Sequence, residues 1–77
     1  MTLNQTTLGS FFQDIVGLND IKPDTPLFSS GLLDSVSMVN LLAFFEQASG
    51  LVVRAEDVTL ENFDTPDRIL RFAEAST

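Results

Sequence analysis

Apolar residues recur along the chain at helical spacing, in blocks separated by helix breakers. Leu8, Phe11, Phe12, Ile15, Val16 and Leu18 fall at steps close to three and four. They predict one apolar stripe on a first helix over residues 5–18. Gly9 weakens the start of that helix and Gly17 sits near its end. Residues 19–34 then hold Asn19-Asp20, Pro23, Pro26, Ser29-Ser30 and Gly31. A connection of this length in a small domain is usually functional or disordered. Ile21, Leu27, Phe28, Leu32 and Leu33 can pin it to a helical core, so the expectation is an ordered loop that delivers the chain to a second helix.

Asp34 has the residue type favoured at a helix N-cap, and an apolar-periodic run follows it at once. Val36, Val39, Leu42 and Phe45, supported by Met38 and Leu41, are expected to form the core stripe of a second helix over residues 35–49. Gly50 suits the left-handed residue that ends many helices. Leu51-Val52-Val53 reads as a short extended piece, since a lone strand would have no partner. A short helical turn is expected at about residues 56–62. Thr65-Pro66-Asp67 is a restart signal, with Thr as cap and Pro at the first helical position. Ile69, Leu70, Phe72 and Ala73 then face the core from a final helix over residues 66–75. The fold class expected is all-α, a four-helix bundle with a short third helix and a long ordered loop between helices one and two. Residues 1–77 are read as a single domain.

Composition narrows the chemistry. A chain of 77 residues buries only about 60% of its unfolded surface, so its core must be economical. Four basic residues against eleven acidic ones leave a net charge of −7, which argues against nucleic acid and against an anionic membrane surface. There is no Cys and no His, so there is no disulfide, no thiol nucleophile, no thiolate metal site and no imidazole base. Lys22 is the only lysine amine. Such a chain is not expected to be an enzyme. Residues 1–20 lack a basic n-region, and Gln13 and Asp14 interrupt their apolar positions, so no signal peptide is read and the cytoplasm is the expected location.

One constellation stands apart: Gly31-Leu32-Leu33-Asp34-Ser35-Val36. It places a serine hydroxyl at the start of a helix, beside the unpaired N–H groups of the first turn. A phosphate attached there would meet those donors and the positive end of the helix dipole. Asp34 next door would repel it unless a cation such as Mg²⁺ lay between them. The ordinary reading is a serine that merely starts a helix, and for an isolated Asp-Ser that reading usually holds.

The context changes the balance. Leu27-Phe28-x-x-Gly31-Leu32-Leu33-Asp34-Ser35, near mid-chain and followed by an amphipathic helix, resembles the acyl carrier proteins, and more closely their aminoacyl, peptidyl and D-alanyl carrier relatives. The resemblance extends over nearly the whole chain. It implies that Ser35 is esterified with 4′-phosphopantetheine, taken from coenzyme A by a phosphopantetheinyl transferase. It implies too that Asp34 supports that transfer, through the transferase's metal. The arm would supply the thiol that a Cys-free chain lacks, and cargo would ride on it as a thioester. The partners implied are the transferase, an ATP-dependent adenylating ligase that loads an amino acid or short acyl group, and downstream condensation, modifying or acyl-transfer enzymes. The setting implied is nonribosomal-peptide or other natural-product biosynthesis, and the expected state is a monomer.

Gly-Leu-Leu-Asp-Ser has one residue more between Gly and Asp than the Gly-x-Asp-Ser common in fatty-acid carriers. Glu61-Asn62-Phe63-Asp64-Thr65-Pro66 is similar to the stretch before the last helix in aminoacyl and D-alanyl carriers. Fatty-acid carriers also tend to show acids along the second helix, whereas residues 35–49 here hold only Glu46. Glu56, Asp57, Glu61, Asp64 and Asp67 lie around the third helix instead, where they read as a solvated face. Partner docking is therefore expected to lean on the loop end and on apolar or small contacts: Leu33, Val36, Ala43 and Phe44. Phe44 flanks Phe45, so one of the two rings should lie at the edge or outside.

Other signals fail. Asp20-x-Lys22-x-Asp24 opens like a calcium loop, but its sixth position is Thr25 and its twelfth Gly31, so no metal site is expected. Four scattered glycines make no phosphate loop. The alternative is a small acidic helical interaction module with no prosthetic group. It accounts for the helices and the charge, but not for a long loop that delivers Asp-Ser to a helix end.

Overall fold

The computed structural model describes residues 3–76; the side chain of Val16 is outside the described set. Asn4 starts the first helix, α1 (Gln5–Phe11), through a reciprocal cap. Its Oδ1 accepts from the Thr7 N–H at 2.9 Å, and the Thr7 Oγ1 accepts from the Asn4 N–H at 2.9 Å. The helix runs on into one turn of π-helix, Phe12–Val16, and stops at Gly17 with φ 79°. The first helical segment is thus 5–16, against the 5–18 expected. The wider turn also alters the expected stripe. Leu8, Phe11 and Phe12 are buried, Leu18 packs partly against the core, and Ile15 is swung out to 60% exposure.

The second helix, α2 (Ser35–Ser49), has the expected bounds, with Asp34 as N-cap and Gly50 at φ 75° as its left-handed end. Its inward face is different from the one expected. Leu41, Phe45 and Ala48 are buried, with Met38 and Leu42 packed partly against the core, whereas Val36 and Val39 are 68% and 65% exposed. Helical geometry explains the correction. Steps of three residues drift by about 60° each, so a row from residue 36 to residue 45 turns through half a revolution. Residues 38, 41 and 48 are the ones that share the side of Phe45.

After Gly50 the chain has no regular structure over 51–54, and no strand forms among the described residues. The Glu46 Oε2 accepts from the Val53 N–H at 2.8 Å, and the Ser49 Oγ accepts from the Leu51 N–H at 3.1 Å. The short helix expected at 56–62 is split into a 3₁₀ turn, Ala55–Asp57, and α3 (Leu60–Phe63). Between them Thr59 is extended and caps α3 by accepting from the Asn62 N–H at 3.3 Å. The final helix, α4 (Pro66–Ala75), starts as the sequence indicates, with Pro66 in its first turn and Thr65 accepting from the Arg68 N–H at 3.1 Å.

Among the described residues the architecture is all-α, with four helices and a short third. Phe45, Phe63 and Phe72, from α2, α3 and α4, form a ring cluster with centroids 5.4–5.7 Å apart. Leu8, Phe11 and Phe12 bring α1 to the same core, which Leu27, Leu33, Leu41 and Ile69 complete. Each ring fully withdrawn from water stabilises the fold by about 1.5–3 kcal/mol. No helix of the described residues is long and apolar enough to cross a membrane.

Candidate functional site

Ser35 is the first residue of α2 and is exposed. Asp34 precedes it in an extended conformation, and its Oδ1 accepts from the Ser37 N–H at 2.9 Å. That bond, followed by one from the Ser37 hydroxyl, holds the Asp34 carboxyl below its ordinary range. The carboxylate therefore stays charged at neutral pH, at the positive end of the α2 dipole and one residue before Ser35. An ester phosphate on Ser35 fits this place. It would extend into solvent, face the helix N-terminus, and have one carboxylate nearby that could share a cation with it. Ser35 lines neither the hollow of about 610 Å³ bounded by Glu61, Asn62, Arg68, Arg71, Phe72 and Ala75, nor the groove of about 290 Å³ over Phe11, Ile15 and Phe44. Among the described residues no group of three or more acidic side chains is placed to hold a metal ion.

The loop that leads to Ser35 is ordered, and its fastenings can be followed bond by bond. Pro23 O accepts from the Asp67 N–H at 2.9 Å, tying the loop to the first turn of α4. Leu27 N–H donates to Asp64 O at 2.6 Å. Phe28 N–H and Ser29 N–H both donate to the Asp64 Oδ1, at 2.8 and 2.9 Å, while the Ser29 hydroxyl donates to the Asp64 Oδ2 at 2.7 Å. Gly31, at φ 84°, closes the following turn with an N–H to Phe28 O at 3.1 Å. The loop then closes on itself, because Leu33 N–H donates to Leu27 O at 2.9 Å.

Asp64 was expected among the solvated acids and is instead 6% exposed. Burial alone would raise its pKa. The Ser29 N–H and hydroxyl, the Phe28 N–H and the charge of Arg68 outweigh that and bring it below its ordinary value. The sequence signal for this role was slight: an Asp in the turn between two helices, with no local donor to claim it.

The expected contact residues do not share one environment. Val36 and Ala43 lie on the outer surface of α2. Phe44 is half-buried, with its ring stacked on Phe11 at 4.8 Å, and Phe45 is the ring that goes inside. Leu33 is a correction. At 4% exposure it belongs to the core, because its bond to Leu27 turns both leucines inward, and Leu32 is the neighbour left 46% exposed. Glu46, the acid of α2, is half-buried and engaged by Val53, so the exposed positions of that helix carry no formal charge.

Comparison with known proteins agrees with this geometry. The family model described as "Phosphopantetheine attachment site" matches residues 6–73. The D-alanyl carrier protein of Enterococcus faecalis is 35% identical over 77 residues, covering 97% of each chain. That of Lacticaseibacillus casei is 33% identical over 63 residues, 79% of this chain and 78% of its own. The D-alanyl carrier protein of Abiotrophia defectiva is 35% identical over 51 residues, 66% of this chain and 65% of its own. The chain belongs to the phosphopantetheine-attachment family within the acyl carrier protein superfamily, close to the D-alanyl carrier proteins. Membership implies a carrier with a covalently attached 4′-phosphopantetheine.

Proposed function

We propose that Ser35 is the attachment residue, and that the protein carries an amino acid, D-alanine first among the candidates, as a thioester on the arm. The observation that carries this reading is the exposed Ser35 at the head of α2, with Asp34 capping that helix and remaining ionised beside it. In the attachment step the Ser35 oxygen forms a bond to the phosphorus that bears pantetheine in coenzyme A. The pyrophosphate P–O bond breaks, adenosine 3′,5′-bisphosphate leaves, and the hydroxyl proton passes to a base of the transferase. Asp34 would offer a carboxylate oxygen to an Mg²⁺ brought by the transferase, which would offset the charge on the transferred phosphate. When bound, the arm supplies a thiol on a flexible tether.

The proposed loading partner is an ATP-dependent adenylating ligase, and a downstream acyl-transfer enzyme receives the cargo. The chain then acts as one carrier domain in the cytoplasm, where ATP and coenzyme A are both present. The amino-acid cargo is supported by the D-alanyl carrier relatives. The docking surface proposed for these partners is uncharged: Leu32 in place of Leu33, then Val36, Val39 and Ala43, with Phe44 at its edge.

The test is intact mass after incubation with coenzyme A, Mg²⁺ and a broad-specificity phosphopantetheinyl transferase. Wild type should gain one phosphopantetheine, and Ser35→Ala none, with its helical circular dichroism unchanged because the side chain packs against nothing in the core. A gain on Ser35→Ala would move the attachment elsewhere. No gain on folded wild type would remove the carrier reading.

A further inference from the structure

The attachment serine begins a helix, but the chain reaches it from a loop whose shape is set elsewhere. The core side of α2 is held by Leu41, Phe45 and Ala48, and the approach to Ser35 meets the same core through Leu27 and Leu33. That approach is fixed by Leu33, through its N–H to Leu27 O, and Leu27 is fixed in turn by its own N–H to Asp64 O. The adjoining Phe28 and Ser29 place both their N–H groups on the Asp64 Oδ1 and the serine hydroxyl on Oδ2. Four donors from three consecutive loop residues therefore converge on one aspartate in the turn between α3 and α4. Two hydrogen bonds lead from that aspartate to the residue two places before Ser35.

We propose that Asp64 is a positioning residue for pantetheinylation, holding the Leu27–Ser29 turn, and through it Leu33, in the arrangement from which Ser35 is presented to the transferase. This rests on the assignment of Ser35 as the attachment residue. Asp64 touches neither Ser35 nor the incoming group. Its effect is on the share of molecules whose loop is in place when the transferase arrives. Arg68, at the start of α4, favours the charged form of the carboxylate and so supports the same clamp. A protein whose helices are intact but whose loop is released would be a poor substrate. Only the native loop, fastened at Pro23 and at Leu27–Ser29 to the α3–α4 corner, is competent.

The test compares wild type, Asp64→Ala, Asp64→Asn, Ser29→Ala and Ser35→Ala at a temperature where each is fully helical by circular dichroism. The rate of mass gain is followed at varied carrier concentration, and amide hydrogen exchange is measured on the same samples. Asp64→Ala leaves the Phe28 and Ser29 N–H groups without their acceptor. It should raise the KM for the carrier by about tenfold with kcat nearly kept, as expected when the competent state is only fractionally populated. Its Phe28, Ser29 and Leu33 amides should lose protection while those of Leu41 and Phe45 keep theirs. Asp64→Asn retains an acceptor at Oδ1 and should restore most of the KM.

A wild-type KM for Asp64→Ala, with the loop amides deprotected, overturns the role of Asp64 and leaves Ser35 in place. Equal loss of protection at Leu41 and Phe45 reduces Asp64 to general stability and overturns it too. Should Asp64→Ala not stay folded, Ser29→Ala decides. It removes only the bond to Oδ2 and is expected to raise the KM several-fold with Leu33 less protected. An unchanged KM there overturns the proposal. A folded wild type that takes no arm, like Ser35→Ala, overturns the attachment assignment itself.

Discussion

Val36 and Phe45 stand on opposite sides of α2: the valine is 68% exposed and the ring is fully buried against Phe63 and Phe72. The helix therefore has two apolar sides with different uses. Removing the Phe45 ring leaves a cavity in the centre of the α2–α3–α4 cluster and should cost about 3–5 kcal/mol, which in so small a domain brings melting near ambient temperature. Val36→Asp should behave in the opposite way. An acid in the first turn of a helix is favourable, so the melting temperature should hold, while loading by transferase and ligase slows. Thermal melts beside loading rates decide it, and a Val36→Asp protein that melts far below wild type would return Val36 to the core.

The stacked pair Phe11 and Phe44 lies between these extremes. Their centroids are 4.8 Å apart with the planes 26° from parallel, and Phe44 is only half-buried. Phe44→Ala should lose the stacking and part of the burial, about 1–2 kcal/mol, clearly less than Phe45→Ala. If Phe44 also meets a partner, ligase transfer onto the arm should fall further than the stability change explains. A loss as large as that of Phe45→Ala, with transfer unaffected, would confine Phe44 to packing.

Gly31 closes the turn after Phe28 at φ 84°, a region that side chains rarely occupy, although nothing lies within 4 Å of where a Cβ would stand. Gly31→Ala should therefore cost backbone strain alone, about 1–2 kcal/mol. The strain falls on the turn that leads to Leu33, so hydrogen exchange should quicken at Gly31 and Leu33 before it quickens in α4. Unchanged exchange at Leu33 would show that the loop tolerates another turn.

What could be read from the residues follows from how far each determinant reaches. Asp34, Gly50 and Thr65-Pro66 were legible because caps act over three or four residues, and the structure has α2 and the start of α4 where those signals put them. The inward face of α2 was not. Val36, Met38, Val39, Leu41, Leu42, Phe44 and Phe45 leave it apolar nearly all round, so the partner rings of α3 and α4, not the spacing, decide which side is buried. Ile15 leaves the expected stripe because a π turn changes the period after Phe12. Asp64 was beyond reach for a different reason. Its donors, Phe28 and Ser29, lie 36 and 35 residues away in sequence, and only the fold brings them together. At the candidate site, Asp34 and Ser35 were visible at once, and the clamp that orders their approach was not.

That clamp also sets a pH dependence. The folded protein holds the Asp64 carboxyl below its ordinary value of 3.8, so as the pH falls the unfolded chain takes up the proton first. Stability then falls with pH wherever the unfolded state binds more protons. The contribution of Asp64 is fully present well above 3.8 and is lost as the pH drops through the lowered folded value. Asp34 adds a dependence of the same sign from an exposed position, and relief of the −7 net charge opposes both, so the wild-type curve alone does not isolate Asp64. The difference between wild type and Asp64→Asn does. Hydrogen bonds to a charged acceptor are stronger than those to a neutral one, so Asp64→Asn should be less stable by about 1–2 kcal/mol at neutral pH. That gap should narrow steadily below pH 4 as wild-type Asp64 becomes neutral as well. Thermal melts of both proteins across the acid range measure it, and a gap that stays constant to the lowest pH at which both fold would mean that the charge of Asp64 does not hold the loop.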